Sequence, residues 1–189
     1  MRPGLQLLHD RLGVESLLGS LLHLAILETR ALRWPDEAAC ERFAQDLARA
    51  PGLMNASIEL HGSLGAGKTT LVRHLLRALG VQGRIKSPSY AVMESYDLSE
   101  HGGTGVVSHF DFYRFGDPRE WEDAGFREIF TSPGLKLSEW PEKAAGMLPV
   151  PDLALHLSIA DDDSRQLRLE ARTPLGQSLL AALGMGAGA

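Results

Sequence analysis

Along this chain the spacing of apolar positions changes period several times, and each change predicts an element. "LAILETRALRW", residues 24–34, alternates as a half-buried strand does. "WPDEAACERFAQDLARA", residues 34–50, shifts to helical spacing. Pro35 suits the first turn of that helix, Asp36 and Glu37 suit the positive end of its dipole, and Pro51–Gly52 stops it. A strand is predicted over residues 56–61, and a helix from about Lys68 to Leu79 is halted at Gly80. Residues 90–96 alternate as a strand again, whereas the runs at 106–110 and 135–138 are apolar up to a carboxylate that closes each. "DLALHLSIA" and "RQLRLEAR", separated by "DDDS", predict an antiparallel hairpin. Residues 174–183 form a last helix in this reading, and the "GMGAGA" tail is expected to be disordered.

The most apolar stretch, "LLGSLLHLAIL" at residues 17–27, is interrupted by His23, flanked by Asp10, Glu15, Glu28 and Arg30, and shorter than the roughly 20 residues a spanning helix needs. No membrane partner and a cytoplasmic location are the expectations. Leucines at 5, 8, 12, 17, 18, 21 and 22 loosely follow helical spacing. Residues 5–22 therefore read either as an added amphipathic helix or as sequence upstream of the true start. The expected division is an extension of unknown role over 1–30, one domain over 31–173, and a terminal helix and tail over 174–189.

Length and charge narrow the picture. At 189 residues a single domain buries roughly 70% of the surface its unfolded chain exposes, so a self-sufficient core is expected. Lys and Arg number 19 against 24 Asp and Glu, a net charge of −5. No general basic surface for gripping a phosphate backbone follows from that balance, so any nucleic acid is expected to be held by a partner. The single cysteine, Cys40, cannot form an internal disulfide and reads as a packing residue in a reducing compartment.

Candidate chemistry centres on "IELHGSLGAGKTTLV", residues 58–72. Gly62, Gly67, Lys68 and Thr69 satisfy the phosphate-loop spacing GxxxxGK[ST] between a predicted strand and a predicted helix. Glycines at 62, 65 and 67 let successive backbone N–H groups turn inward toward phosphate oxygens, and the helix N-terminus adds its positive dipole end. Lys68 can reach the β- and γ-phosphates, and the Thr69 hydroxyl is placed to ligate Mg²⁺. A nucleotide carrying Mg²⁺ is the ligand this predicts. The acidic partner of the metal should close a neighbouring strand, and both Asp111 in "HFDFYRF" and Glu139 in "LKLSEWP" do so. Spacing does not choose between them. His109 reads as an ordinary strand histidine. Lys86, Ser87, Pro88 and Ser89 suggest a shaped loop able to sense a γ-phosphate.

Taken in order, "GSLGAGKTT", "KSPSY", "HFDFYR" and "SEWP" resemble the bacterial TsaE (YjeE-like) family of P-loop ATPases, over about residues 34–165. The resemblance implies a role in tRNA threonylcarbamoyladenosine modification and docking on a TsaB–TsaD-like complex, with tRNA contacted through those partners. It also implies ATP phosphates on Gly65, Ala66, Gly67, Lys68, Thr69 and Thr70 beside Gly62, Mg²⁺ on Thr69 and Glu139, and Asp111 as a second functional acid. Asp36 and Arg165 match family positions that touch the nucleotide. Two departures stand out: Ser63 replaces the usual Asp, and Ser89 replaces the usual Thr while keeping a hydroxyl. Both lines of reasoning predict an α/β three-layer sandwich, P-loop NTPase-like, with a mixed, mostly parallel sheet and a C-terminal antiparallel hairpin. The expected activity is a partner-dependent ATPase that is weak alone and resets its complex between turnovers. A small-molecule phosphotransferase and a nucleotide-gated adaptor are the alternatives, and a GTPase is disfavoured by the lack of an NKxD-type motif.

Overall fold

A computed structural model describes residues 25–88 and 90–185. The segment 5–22, Ser89 and the last four residues lie outside the described residues. The chain builds a seven-stranded sheet from β1 (Glu28–Trp34), β2 (Ser57–His61), β3 (Met93–Asp97), β4 (Val106–Asp111), β5 (Leu135–Glu139), β6 (Leu153–Ile159) and β7 (Arg165–Ala171), in spatial order β1-β7-β6-β2-β5-β4-β3. Strands β4, β5, β2 and β6 run parallel through the centre. The β6–β7 hairpin, β1 beyond it and β3 at the other edge pair antiparallel with their neighbours. The sheet is mixed with a parallel core, as the element pattern predicts.

Alternation along the strands decides what covers each face. Ile58 and Leu60, Leu135 and Leu137, Leu153 and Leu155, and Leu167 and Leu169 all point to one side and are essentially inaccessible. They pack under helices α1 (Glu37–Ala48), α2 (Lys68–Ala78) and α5 (Pro174–Met185), which contribute Leu47, Leu75, Leu76, Leu179 and Leu180 to the same core. Burial of a leucine side chain of this kind is worth about 1.5–3 kcal/mol. On the other side, Phe110 and Phe112 gather Trp121 and Phe126 from two short helices, α3 (Pro118–Asp123) and α4 (Phe126–Thr131). This third layer covers only the β4 end of the sheet. Further along that face lie Glu59, His61, His156 and Glu170, with the His61 and His156 rings stacked 4.5 Å apart. Burial first, and then His61, Arg168 and Arg172, push the His156 imidazole down to about 4.

Several local expectations shift. Helix α1 begins after Pro35, because Asp36 takes the cap position and accepts a hydrogen bond from Ala39 N at 2.8 Å. Strand β3 starts at Met93 rather than Tyr90, because Val92 has a φ of 63°. A β-branched residue in that left-handed region cannot continue a strand. The helices α3 and α4 have no counterpart in the sequence reading. They are too short to show a period, and Gly125, with a φ of 66°, separates them.

Candidate functional site

The end of β2 and the start of α2 are joined by the glycine loop, and its shape depends on two glycines in particular. Gly62 has a φ of 141°, and a Cβ added there would stand 2.3 Å from the Leu157 carbonyl of β6. Gly67, with a φ of 107°, occupies the cap position of α2. No side chain caps that helix, so its first N–H groups face the loop interior as an anion cradle. Ala66 is wholly buried beneath the loop.

Lys68 curls back across this cradle. Its Nζ donates to the carbonyls of Gly62 at 2.6 Å and Ser63 at 2.9 Å, and it sits 3.8 Å from the centre of the Trp140 ring. Burial lowers its pKa from the usual lysine value, with Glu139, Glu142 and Asp111 pulling the other way. Ser63 meets the lysine only through its carbonyl and is exposed, so the exchange of Asp for Ser leaves this contact unaffected.

Register sets the two candidate acids beside each other, and their hydrogen bonds differ. Asp111 and Glu139 are direct partners across the β4–β5 pair, so both carboxylates arrive side by side at the mouth of the loop. The Thr69 hydroxyl donates to Glu139 Oε2 at 2.8 Å. Glu139 Oε1 meets His109 Nε2 at 2.9 Å. Asp111 instead accepts the backbone N–H of Tyr113 through Oδ1 at 3.0 Å and the Ser87 hydroxyl through Oδ2. Thr69 and Glu139 therefore converge on one point, and Asp111 faces the 86–88 loop. Among the described residues no group of three or more His, Cys, Asp or Glu side chains forms a metal site. A magnesium ion carried in by phosphates does not need one, since it keeps several waters and takes only one or two protein ligands. The hydroxyl and carboxylate at this spot fit that demand.

Two adjoining cavities, of about 240 and 370 Å³, share Gly65, Gly67 and Thr70. The larger holds Lys68, Thr69, Ser87, Asp111, Glu139 and Trp140, and the smaller holds Trp34, Asp36, Cys40 and Arg165. Arg165 braces the loop from β7 by donating from Nε to Ala66 O at 3.1 Å. The structure thus brings together every candidate among the described residues: the loop, both acids, Asp36 and Arg165. Sequence reasoning missed Trp140, Trp34 and the contact between His109 and Glu139. The motif "SEWP" contains the signal for Trp140, whose left-handed φ of 57° at the end of β5 turns its ring over the loop lysine.

Known proteins of one family resemble this chain in sequence and in fold. The family model for "Threonylcarbamoyl adenosine biosynthesis protein TsaE" matches residues 34–167. The tRNA threonylcarbamoyladenosine biosynthesis protein TsaE of Haemophilus influenzae is 38% identical over 152 residues, covering 78% of this chain and 93% of that protein. The TsaE of Treponema pallidum is 32% identical over 132 residues, covering 67% and 94%. The crystal structure of Bacillus subtilis YdiB superposes with a TM-score of 0.69 at 25% identity, covering 84% of this chain and 95% of that one. No described helix is long and apolar enough to cross a membrane. With its glycine loop, paired acids and sheet order in place, the chain belongs to the TsaE family.

Proposed function

We propose that this chain works in tRNA threonylcarbamoyladenosine biosynthesis as a magnesium-dependent ATPase, weak alone and active with a TsaB–TsaD-like complex. The observation that carries the reading is the convergence of Thr69 and Glu139, 2.8 Å apart, at the mouth of a complete phosphate loop. In it, N–H groups of residues 65–70 hold the phosphates, and Lys68 leaves its carbonyl partners and the Trp140 ring to meet the β- and γ-phosphate oxygens. Thr69 and Glu139 would hold magnesium, which would supply positive charge against those oxygens. Asp111 orients the attacking water, whose oxygen bonds to the γ-phosphorus as the bond to the β,γ-bridging oxygen breaks, giving ADP and inorganic phosphate. Ser87 couples that acid to the 86–88 loop, so the loop senses whether a γ-phosphate is present. The net charge of −5 supports docking on proteins that themselves contact tRNA.

The test is reconstitution with the partner proteins, tRNA, threonine, bicarbonate and ATP, counting modified adenosines per complex by mass spectrometry. Multiple turnovers are expected with the parent chain and about one per complex without it. Equal multiple-turnover modification in its absence would overturn the proposal.

A further inference from the structure

We infer that His109 is a positioning residue for the magnesium site, holding the Glu139 carboxylate so that Oε2 faces Thr69. The inference rests on the proposed reading of Thr69 and Glu139 as the metal pair. His109 lies in the middle of β4 with Glu94 and Leu137 as cross-strand neighbours, and it has no accessible surface. Among the described residues its ring makes one hydrogen bond, from Nε2 to Glu139 Oε1 at 2.9 Å, while Nδ1 is buried without a partner. A carboxylate offers only acceptors, so Nε2 carries the proton.

For packing alone this ring is a poor choice, because an apolar side chain would fill the same space without stranding a nitrogen. The bond to Glu139 is what compensates. Glu139 is itself only 1% exposed, so water cannot replace a lost partner. With Oε1 tied to His109 and the chain turning sharply at Trp140, the carboxylate has one orientation, and that orientation presents Oε2 to the Thr69 hydroxyl. Without the histidine, Oε1 is left buried and bare, and the carboxylate must rotate to find another partner. That rotation removes the second protein ligand from where the phosphates would deliver the ion. Groups that hold a metal ligand in place typically contribute 10–100-fold to metal affinity.

The experiment titrates Mg²⁺ into mixtures of full-length protein and a fluorescent ATP analogue for the parent, His109→Phe, His109→Gln and Glu139→Ala. For His109→Phe the Mg²⁺ concentration at half-saturation should rise about 10-fold or more, while binding of the analogue without Mg²⁺ changes less than about 2-fold. His109→Gln, whose amide can donate from near the Nε2 position, should stay within about 3-fold of the parent. A folded His109→Phe protein with parental Mg²⁺ dependence, beside a Glu139→Ala protein that has lost it, overturns the inference and leaves the metal pair standing. A Glu139→Ala protein with parental Mg²⁺ dependence overturns the metal pair instead. Should His109→Phe fail to fold, nitrogen-resolved NMR of the parent's histidines decides. The proton on Nε2 of His109, with resonances that move when Mg²⁺ and ADP are added, is the expected result, and a proton on Nδ1 overturns the inference.

Discussion

Around the phosphate loop, polar side chains hold one another or the loop backbone: Lys68 holds two loop carbonyls, Thr69 and His109 hold Glu139, and Ser87 holds Asp111. In the adjoining smaller cavity, Trp34 and Cys40 belong to the packed core beneath α1, Asp36 caps that helix, and Arg165 braces the loop from the hairpin. One region is an interlocked set of polar side chains whose partners, on the proposed reading, would be exchanged for phosphate oxygens. The other is a wall whose residues have structural duties of their own. Substitutions in the first should therefore remove chemistry, and substitutions in the second should chiefly remove stability.

The largest expected effect is at Lys68. Lys68→Ala should weaken ATP binding about 100-fold, the equivalent of charge-assisted contacts worth about 3 kcal/mol together, and should abolish measurable hydrolysis. Isothermal titration with ATP and a phosphate-release assay check this, and near-parental values would place the phosphates elsewhere.

Next come the two acids, which should separate by role. Glu139→Ala should raise the Mg²⁺ requirement about 10-fold or more, whereas Asp111→Asn should cut turnover about 100-fold with nucleotide affinity changed less than about 3-fold. Single-turnover kinetics beside Mg²⁺ titrations distinguish them, and the reverse pattern would exchange the roles.

A smaller effect is expected at Asp36. Asp36→Ala deletes the cap on α1, costing about 1 kcal/mol and lowering Tm by about 2–4 °C for a domain of this size. Thermal melts measure that loss, and ATP affinity should fall only a few-fold. A loss of binding as large as that of Lys68→Ala would show the wall of the smaller cavity to be as directly engaged as the loop.

The smallest concerns Cys40, whose thiol is pushed from 9.0 to about 12, first by burial and then by Glu37 and Glu41. At pH 8 its thiolate fraction falls by about three orders of magnitude, so iodoacetamide should label the folded protein far more slowly than the urea-unfolded chain. As the chain has one cysteine, intact-mass spectrometry reads the rate directly. Rapid labelling of the folded protein would mean that the wall of the smaller cavity opens.

Much of this architecture was legible in the sequence, for reasons that differ from element to element. Glycines at 62, 65 and 67 followed by Lys68 and Thr69 encode their loop in contiguous residues, since left-handed backbone and a helix start are local properties. The alternation in residues 153–171 encodes a hairpin in the same local way. Asp111 and Glu139 were visible as acids closing apolar runs, and the family resemblance suggested a division of labour between them. Their adjacency is a matter of β4–β5 register, a pairing between segments far apart in the chain. The same holds for His109 and Glu139, for Trp140 over Lys68, and for Arg165 against Ala66. By itself, then, the sequence determined that a phosphate-binding loop joins a strand to a helix in an α/β chain of this family. Only the tertiary structure decided which acid faces the threonine, which histidine holds it, and what shields the lysine. Backbone propensity acts between neighbours in sequence, whereas a buried polar group is satisfied by whatever side chain the sheet order sets beside it.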